Sequence, residues 1–214
     1  MHFEFLVEDR SGKVLLDTIL PRLIESQHTF RVIPYKGIGH LPKDLRNKSD
    51  PNKRILLDQL PRVLAGYGKA YSGYPAVVFV ICDLDQRDET HFLNELQQVT
   101  ITLAPCPTTF FCLAIEEGEA WLLGDLSAIQ KGYPKAKTAI LKSYVNDSIC
   151  GTWELLADAL YLGGSQALGK LGYQAVGQEK TTWAQNITPH MNIAENLSPS
   201  FQNLRQKIYD ASHS

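Results

Sequence analysis

Three acidic groups stand out in this chain, and each directly follows an apolar segment. Glu8-Asp9 follows Phe3–Val7, Asp83-Leu84-Asp85 follows Ala76–Cys82, and Glu116-Glu117-Gly118-Glu119 follows Thr108–Ile115. Carboxylates gathered on one edge repel unless a cation lies among them, and an all-oxygen donor set suits a hard divalent ion such as Mg²⁺ or Mn²⁺. Asp83 and Asp85 are the central pair, because two residues apart on an extended backbone their side chains point the same way. Taken alone, an Asp-x-Asp is equally the end of a strand in a solvated turn. The two further acidic ends are what favour a metal site.

The elements that would bring these acids together follow from the apolar pattern. The run Ala76-Val77-Val78-Phe79-Val80-Ile81-Cys82 is continuous and rich in β-branched residues, as a strand buried on both faces of a parallel sheet requires. Phe3–Val7, Thr29–Pro34 and Thr108–Ile115 read as its partners. Between them, Ser11-Gly12 reads as a turn into a helix with Val14, Leu15, Ile19, Leu23 and Ile24 on one stripe, interrupted at Pro21. Asp50-Pro51 predicts the capped start of a helix running to about Leu64, followed by a glycine- and tyrosine-rich connection from Tyr67 to Tyr74. Glu89–Gln98 is expected to be helical with Phe92, Leu93 and Leu96 inward.

Strands alternating with helices predict an α/β fold with a mainly parallel central sheet of about four strands flanked by helices. In such sheets ligands sit beyond the carboxyl ends of the strands, which is where all three acidic groups fall. After Leu123 the pattern is helical only, around Trp153–Leu162, 184–191 and Pro199–Ala211, the last opened by the cap Ser198-Pro199. The expected division is a metal-binding core over 1–125 and a helical extension over 126–214 packed on it as one compact unit.

At 214 residues, with 44% hydrophobic and 21% charged residues, the chain can bury a core without staples. The formal net charge of −2 excludes a global polyanion-binding surface, so nucleic acid would have to be met locally. The stretch holding Lys36, Lys43, Arg46, Lys48, Lys53 and Arg54 is the candidate, with a second at Lys131, Lys135, Lys137 and Lys142. Cys82, Cys106, Cys112 and Cys150 lack paired spacing and read as free thiols in a reducing compartment. Glu4, Glu8 and Asp9 interrupt the first apolar segment, and no stretch approaches the roughly 20 apolar residues of a membrane span. A cytoplasmic protein with no membrane contact is expected. His40 and His91 read as surface residues, and the stretch from Tyr133 to Gly163 is a candidate surface for a homodimer contact or for a partner.

The order strand-Glu, then strand-Asp-x-Asp, resembles the TOPRIM fold of topoisomerases, primases and overcoming-lysogenization-defect nucleases. Glu117-Gly118-Glu119-Ala120-Trp121-Leu122-Leu123-Gly124-Asp125 is similar to a motif of small stand-alone TOPRIM-like proteins of uncharacterised function. Lys180 ahead of a helix and Ser198-Pro199-Ser200-Phe201 opening the final helix also match them. The resemblance implies that Glu8 acts as general acid/base or metal ligand and that Asp83 and Asp85 bind Mg²⁺. It further implies that Glu119 completes a second metal position and that Lys180 neutralises charge at a transferring phosphate. One departure is that glycine does not follow Glu8 at once, since Asp9-Arg10-Ser11 precede Gly12. The implied activity is a metal-dependent nuclease or related phosphoryl transfer on nucleic acid, contacted by Lys36, Lys43, Arg46 and Ser200. The family setting implies an AAA/ABC-type ATPase partner in a defence or mobile-element system. The alternative is a non-catalytic adaptor subunit with a metal-binding TOPRIM-like core, and a phosphatase or nucleotidyl transferase acting on small esters is a third reading.

Overall fold

The computed structural model describes residues 1–42 and 50–213. Four strands form one sheet: β1 (His2–Val7), β2 (Thr29–Pro34), β3 (Ala76–Asp83) and β4 (Thr108–Ala114). Their order is β2-β1-β3-β4 and every neighbouring pair is parallel, in the register Phe5↔Val32, Phe5↔Phe79 and Phe79↔Phe110. The expected α/β class and parallel four-stranded sheet are therefore present.

The crossover helices lie on opposite faces. α1 (Arg10–Ile19) joins β1 to β2 and buries Leu15, Leu16 and Ile19 against Phe3, Phe5, Val7 and Phe79. α2 (Leu56–Ala70) and α3 (Glu89–Thr102) cover the other face, where Leu56, Leu60, Leu64, Phe92, Leu96 and Val99 meet Leu6, Val78, Val80 and Cys82. β1 thus hands its crossover to one face and β3 to the other. Between such strands the chain parts, leaving a crevice at their carboxyl ends where α/β folds hold ligands.

The remaining helices are α4 (Glu119–Leu123), α5 (Leu126–Gly132), α6 (Thr138–Leu141), α7 (Thr152–Leu160), α8 (Gly164–Gly169), α9 (Tyr173–Ile187) and α10 (Pro199–Ser212). They share the α1 face, so Trp121, Leu156, Trp183, Ile187, Phe201 and Leu204 belong to the same buried cluster as Phe3 and Phe79. The C-terminal helices complete the core of the sheet. No strand occurs after β4 among the described residues. None of the described helices is long and apolar enough to cross a membrane.

Several element boundaries differ from expectation. Ser11 and Gly12 form the first turn of α1, because Asp9 caps it and accepts from Gly12 N at 2.8 Å. Pro21 opens a short 3₁₀ turn, Leu20–Arg22. Asp50 caps a separate 3₁₀ turn, Pro51–Lys53, and Arg54 at φ 52° ends it. α2 starts only at Leu56, where its first N–H groups donate to Gly37 and Ile38 carbonyls, and it runs on to Ala70 through half of the expected connection. In α3, Phe92 and Leu96 are buried as expected, with Val99 as the third and Leu93 only half-buried. α9 begins at Tyr173, well before 184, so Lys180 lies inside a helix and not ahead of one. Its first two turns are largely exposed and carry no apolar stripe, which hides them from periodicity.

Candidate active site at the carboxyl ends of β1 and β3

β1 and β3 are adjacent, with Val7 opposite Ile81, so the residues that follow each strand come out side by side. Glu8 and Asp83 meet there: Glu8 Oε2 accepts, at 3.4 Å, from the Asp83 backbone N–H. Gly118, between β4 and α4, lies beside Asp83, and its missing side chain would come 3.9 Å from Asp83 Oδ1. Glu119 follows as the first residue of α4 and is 2% exposed. Together Glu8, Asp9, Asp83 and Glu119 line a cavity of about 30 Å³, with Val7, Ile81 and Trp121 among its apolar walls. A space of that size holds one water-sized particle.

Lys180 reaches the same acids from the middle of α9. Its Nζ lies 2.9 Å from Glu119 Oε2 and 3.6 Å from Glu117 Oε2. Burial alone would lower its pKa. Glu119, Asp83, Glu117 and Asp9 outweigh that and hold it well above the usual lysine value, so the ammonium stays charged. One ammonium does not balance these carboxylates. Desolvation, joined by the charges of Asp85 and Asp9, raises Glu8 from 4.5 to about 7. Asp83 is pushed well up by burial and by Glu8, and Glu117 rises to about 7 by burial against the opposing pull of Lys180.

At Asp85 the backbone departs from the expected extended geometry. With φ at 52°, the two-residue spacing no longer sets its carboxylate parallel to that of Asp83. Its N–H donates to Glu116 O at 2.8 Å, and its Oδ2 accepts from Arg87 Nη1 at 2.7 Å. The side chain is 48% exposed. Arg87, which spacing did not single out, thus orders this turn and also donates to the Asp83 and Leu84 carbonyls.

Glu116 also serves another purpose than the site. It accepts from the backbone N–H groups of Cys150, Gly151 and Thr152 and from the Thr152 hydroxyl, capping α7 from 36 residues away. Burial opposes its charge, but these bonds win and hold its pKa below the usual value. A depressed carboxylate stabilises the fold above the ordinary value near 4.5, and that contribution fades as pH falls through the folded value. Glu116→Ala is expected to cost about 2–3 kcal/mol at neutral pH, read by urea unfolding, and less at an acid pH below the folded value. An equal cost at both pH values would contradict this clamp.

The remaining candidates divide. Lys36 is exposed at the end of β2, and the next N–H, from Gly37, donates to the Glu8 carbonyl at 3.0 Å, so the loop flanks the site. Lys43, Arg46 and Lys48 lie outside the described residues. Ser200 is tied inward: its hydroxyl accepts the Trp121 indole N–H at 2.9 Å and its N–H donates to Asp147. Trp121 also packs edge-on against Phe201, so the two motifs at the ends of the helical part are in contact. His40 and His91 are exposed, and Cys82 and Cys112 are buried free thiols.

A family comparison identifies the chain over residues 7–209 with a domain of unknown function, DUF4276. The chain belongs to this family. No curated protein and no solved structure matches it. In this DUF4276 chain no group of three or more His, Cys, Asp or Glu among the described residues is placed to enclose a metal ion. Mg²⁺ does not need one, since it keeps several waters and is commonly held by one or two carboxylates. Glu8 and Asp83, desolvated and mutually repelling beside a cavity of ionic size, have the donor chemistry that such a cation fits.

Proposed function

We propose that this protein is a TOPRIM-like, divalent-metal-dependent nuclease or related phosphoryl-transfer enzyme acting on nucleic acid. The observation that carries the reading is the convergence of Glu8 and Asp83 at the crevice between β1 and β3, beside a charged lysine. Mg²⁺ or Mn²⁺ held by Glu8 and Asp83 would supply positive charge for the attacking and leaving oxygens of a phosphodiester. Lys180 adds a second positive charge, already oriented by Glu119, for the phosphate to meet. Where Asp83 alone holds the ion, the Glu8 carboxyl is free to carry or release a proton close to neutrality, as a general acid/base must. Lys36 flanks the crevice, where a phosphate backbone would pass. An AAA/ABC-type ATPase partner is part of the proposal and rests on the TOPRIM resemblance alone.

The test is incubation of the full chain with supercoiled, linear and single-stranded DNA and with RNA, in Mg²⁺ or Mn²⁺. Cleavage is expected with wild type and a loss of at least a hundredfold with Asp83→Asn. Asp85→Asn, whose carboxylate is directed at Arg87, is expected to lose far less. Identical behaviour of wild type and Asp83→Asn on every substrate, with and without an ATPase partner, would refute catalysis here.

The Arg87–Asp85 pair favours one second reading. It commits half of the Asp-x-Asp to an arginine, as suits a metal-binding adaptor subunit that does not turn over. Metal binding that Asp83→Asn abolishes, with no cleavage by wild type, would select it.

A further inference from the structure

A second cavity, of about 540 Å³, opens on the far side of the Asp83 turn, between the start of α3, the free edge of β4 and α10. Cavities of this size take small molecules, not single ions. Leu93, Phe111 and Ile115 supply its apolar lining, while Arg87, Asn203 and Lys207 supply polar groups. Lys207 Nζ donates to the Phe111 carbonyl at 2.8 Å, using one of the three N–H donors of its ammonium. Arg87 Nη1 is bonded to the Asp83 and Leu84 carbonyls and to Asp85, so the arginine lining this cavity is the one that orders the Asp83 turn.

Acids are present as well, and they limit what fits. Asp147 is committed, accepting from the Ser198 hydroxyl and Ser200 N–H, and Asp88 accepts from His91 N. Glu89 is exposed in the first turn of α3. A purely anionic ligand would meet these charges unfavourably, and a purely apolar one would strand the cations. A nucleoside monophosphate matches the mixture: a flat base for the apolar lining, donors and acceptors on base and sugar for Asn203 and the acids, and a phosphate for Arg87 and Lys207.

We propose that this groove is a subsite for a nucleotide unit of the substrate whose phosphate Glu8 and Asp83 address. The inference rests on the phosphoryl-transfer reading for the identity of the substrate, but its test does not require catalysis. Full-length protein in EDTA is titrated with AMP, dAMP, a short single-stranded oligonucleotide and inorganic phosphate, followed by amide NMR shifts. Nucleotide-induced shifts are expected at Leu93, Phe111, Ile115 and Asn203.

Lys207→Met should weaken binding at least tenfold. Asn203→Trp, at an exposed position, fills the groove without disturbing the core and should do the same, while Lys170→Met, exposed at the end of α8, controls for lost charge. The groove assignment is overturned if shifts map elsewhere, if neither variant weakens binding, or if inorganic phosphate binds as well as AMP. Nucleotide binding in the groove without cleavage of any polymer would support the subsite and refute only the catalytic reading. Cleavage with an unchanged KM in both variants would refute only the subsite. Preference for AMP over dAMP, or for the oligonucleotide over both, identifies whether ribose or strand context is read.

Discussion

Lys180→Met is expected to destabilise the protein by about 3–5 kcal/mol at neutral pH, lowering the melting temperature by on the order of 10 °C. The methionine fills the space of the aliphatic stem, so packing is nearly kept. What goes is the ammonium 2.9 Å from Glu119 Oε2 and 3.6 Å from Glu117 Oε2. Glu119 is 2% exposed and would be left buried beside Asp83, Asp9 and Glu117 with no counter-charge. Without Lys180 the folded-state pKa values of Glu119 and Glu117 rise further, so the folded protein takes up protons more readily than the unfolded chain. Stability lost at pH 7 is then regained as pH falls. The double variant Lys180→Met/Glu119→Gln removes the stranded charge and is expected to recover much of the loss, while phosphoryl transfer stays absent. Urea unfolding at pH 5 and pH 7 reads all three proteins. A Lys180→Met loss that does not depend on pH, or that Glu119→Gln fails to relieve, would show that packing and not charge balance governs this contact.

The fold was legible because burial writes itself into continuous apolar runs. The segment Ala76–Cys82 could only be a central strand, and β2 falls on the expected residues, Thr29–Pro34. Glu8, Asp83 and Glu119 were legible for the same reason, being polar residues where apolar runs stop. The orientation of Asp85 was not. It follows from a left-handed φ and a hydrogen bond to Glu116, contacts that join residues 31 apart. Glu116 looked like another acid of the site, yet its partners lie at 150–152, and no local spacing points to them. Lys180 was found through resemblance alone, since the first half of α9 has no apolar period. Trp121 and Ser200 each stood in a motif, but their contact is tertiary and became visible only when α10 packed beside α4. What local sequence omitted was therefore the bonding that decides which acids face the crevice and which brace helices.

Removing a carboxylate from the crevice is expected to stabilise the protein where no divalent ion is supplied. Glu8 has its pKa raised from 4.5 to about 7 by desolvation and by the charges of Asp85 and Asp9, and Asp83 is raised as well. For a carboxylate raised in the folded state, the fold binds the proton more tightly than the unfolded chain does. Stability is thus fully present below about pH 4.5 and is lost as pH climbs towards 7. Glu8→Gln keeps the shape and deletes the charge, so at pH 7 it is expected to gain on the order of 2 kcal/mol over wild type, with no gain near pH 4. Glu117, also raised to about 7, retains its own share of the slope in the variant. Mg²⁺ reverses the comparison, because a ligand that binds only the folded state stabilises it by mass action. Wild type should gain melting temperature with millimolar Mg²⁺, and Glu8→Gln and Asp83→Asn should not. A wild type indifferent to Mg²⁺ and Mn²⁺, or a Glu8→Gln less stable than wild type in EDTA at pH 7, would mean that these acids are satisfied within the fold and await no cation. The opposite outcome, a site that is less stable with its native acids than without them, is the mark of residues retained for chemistry at a cost to the fold.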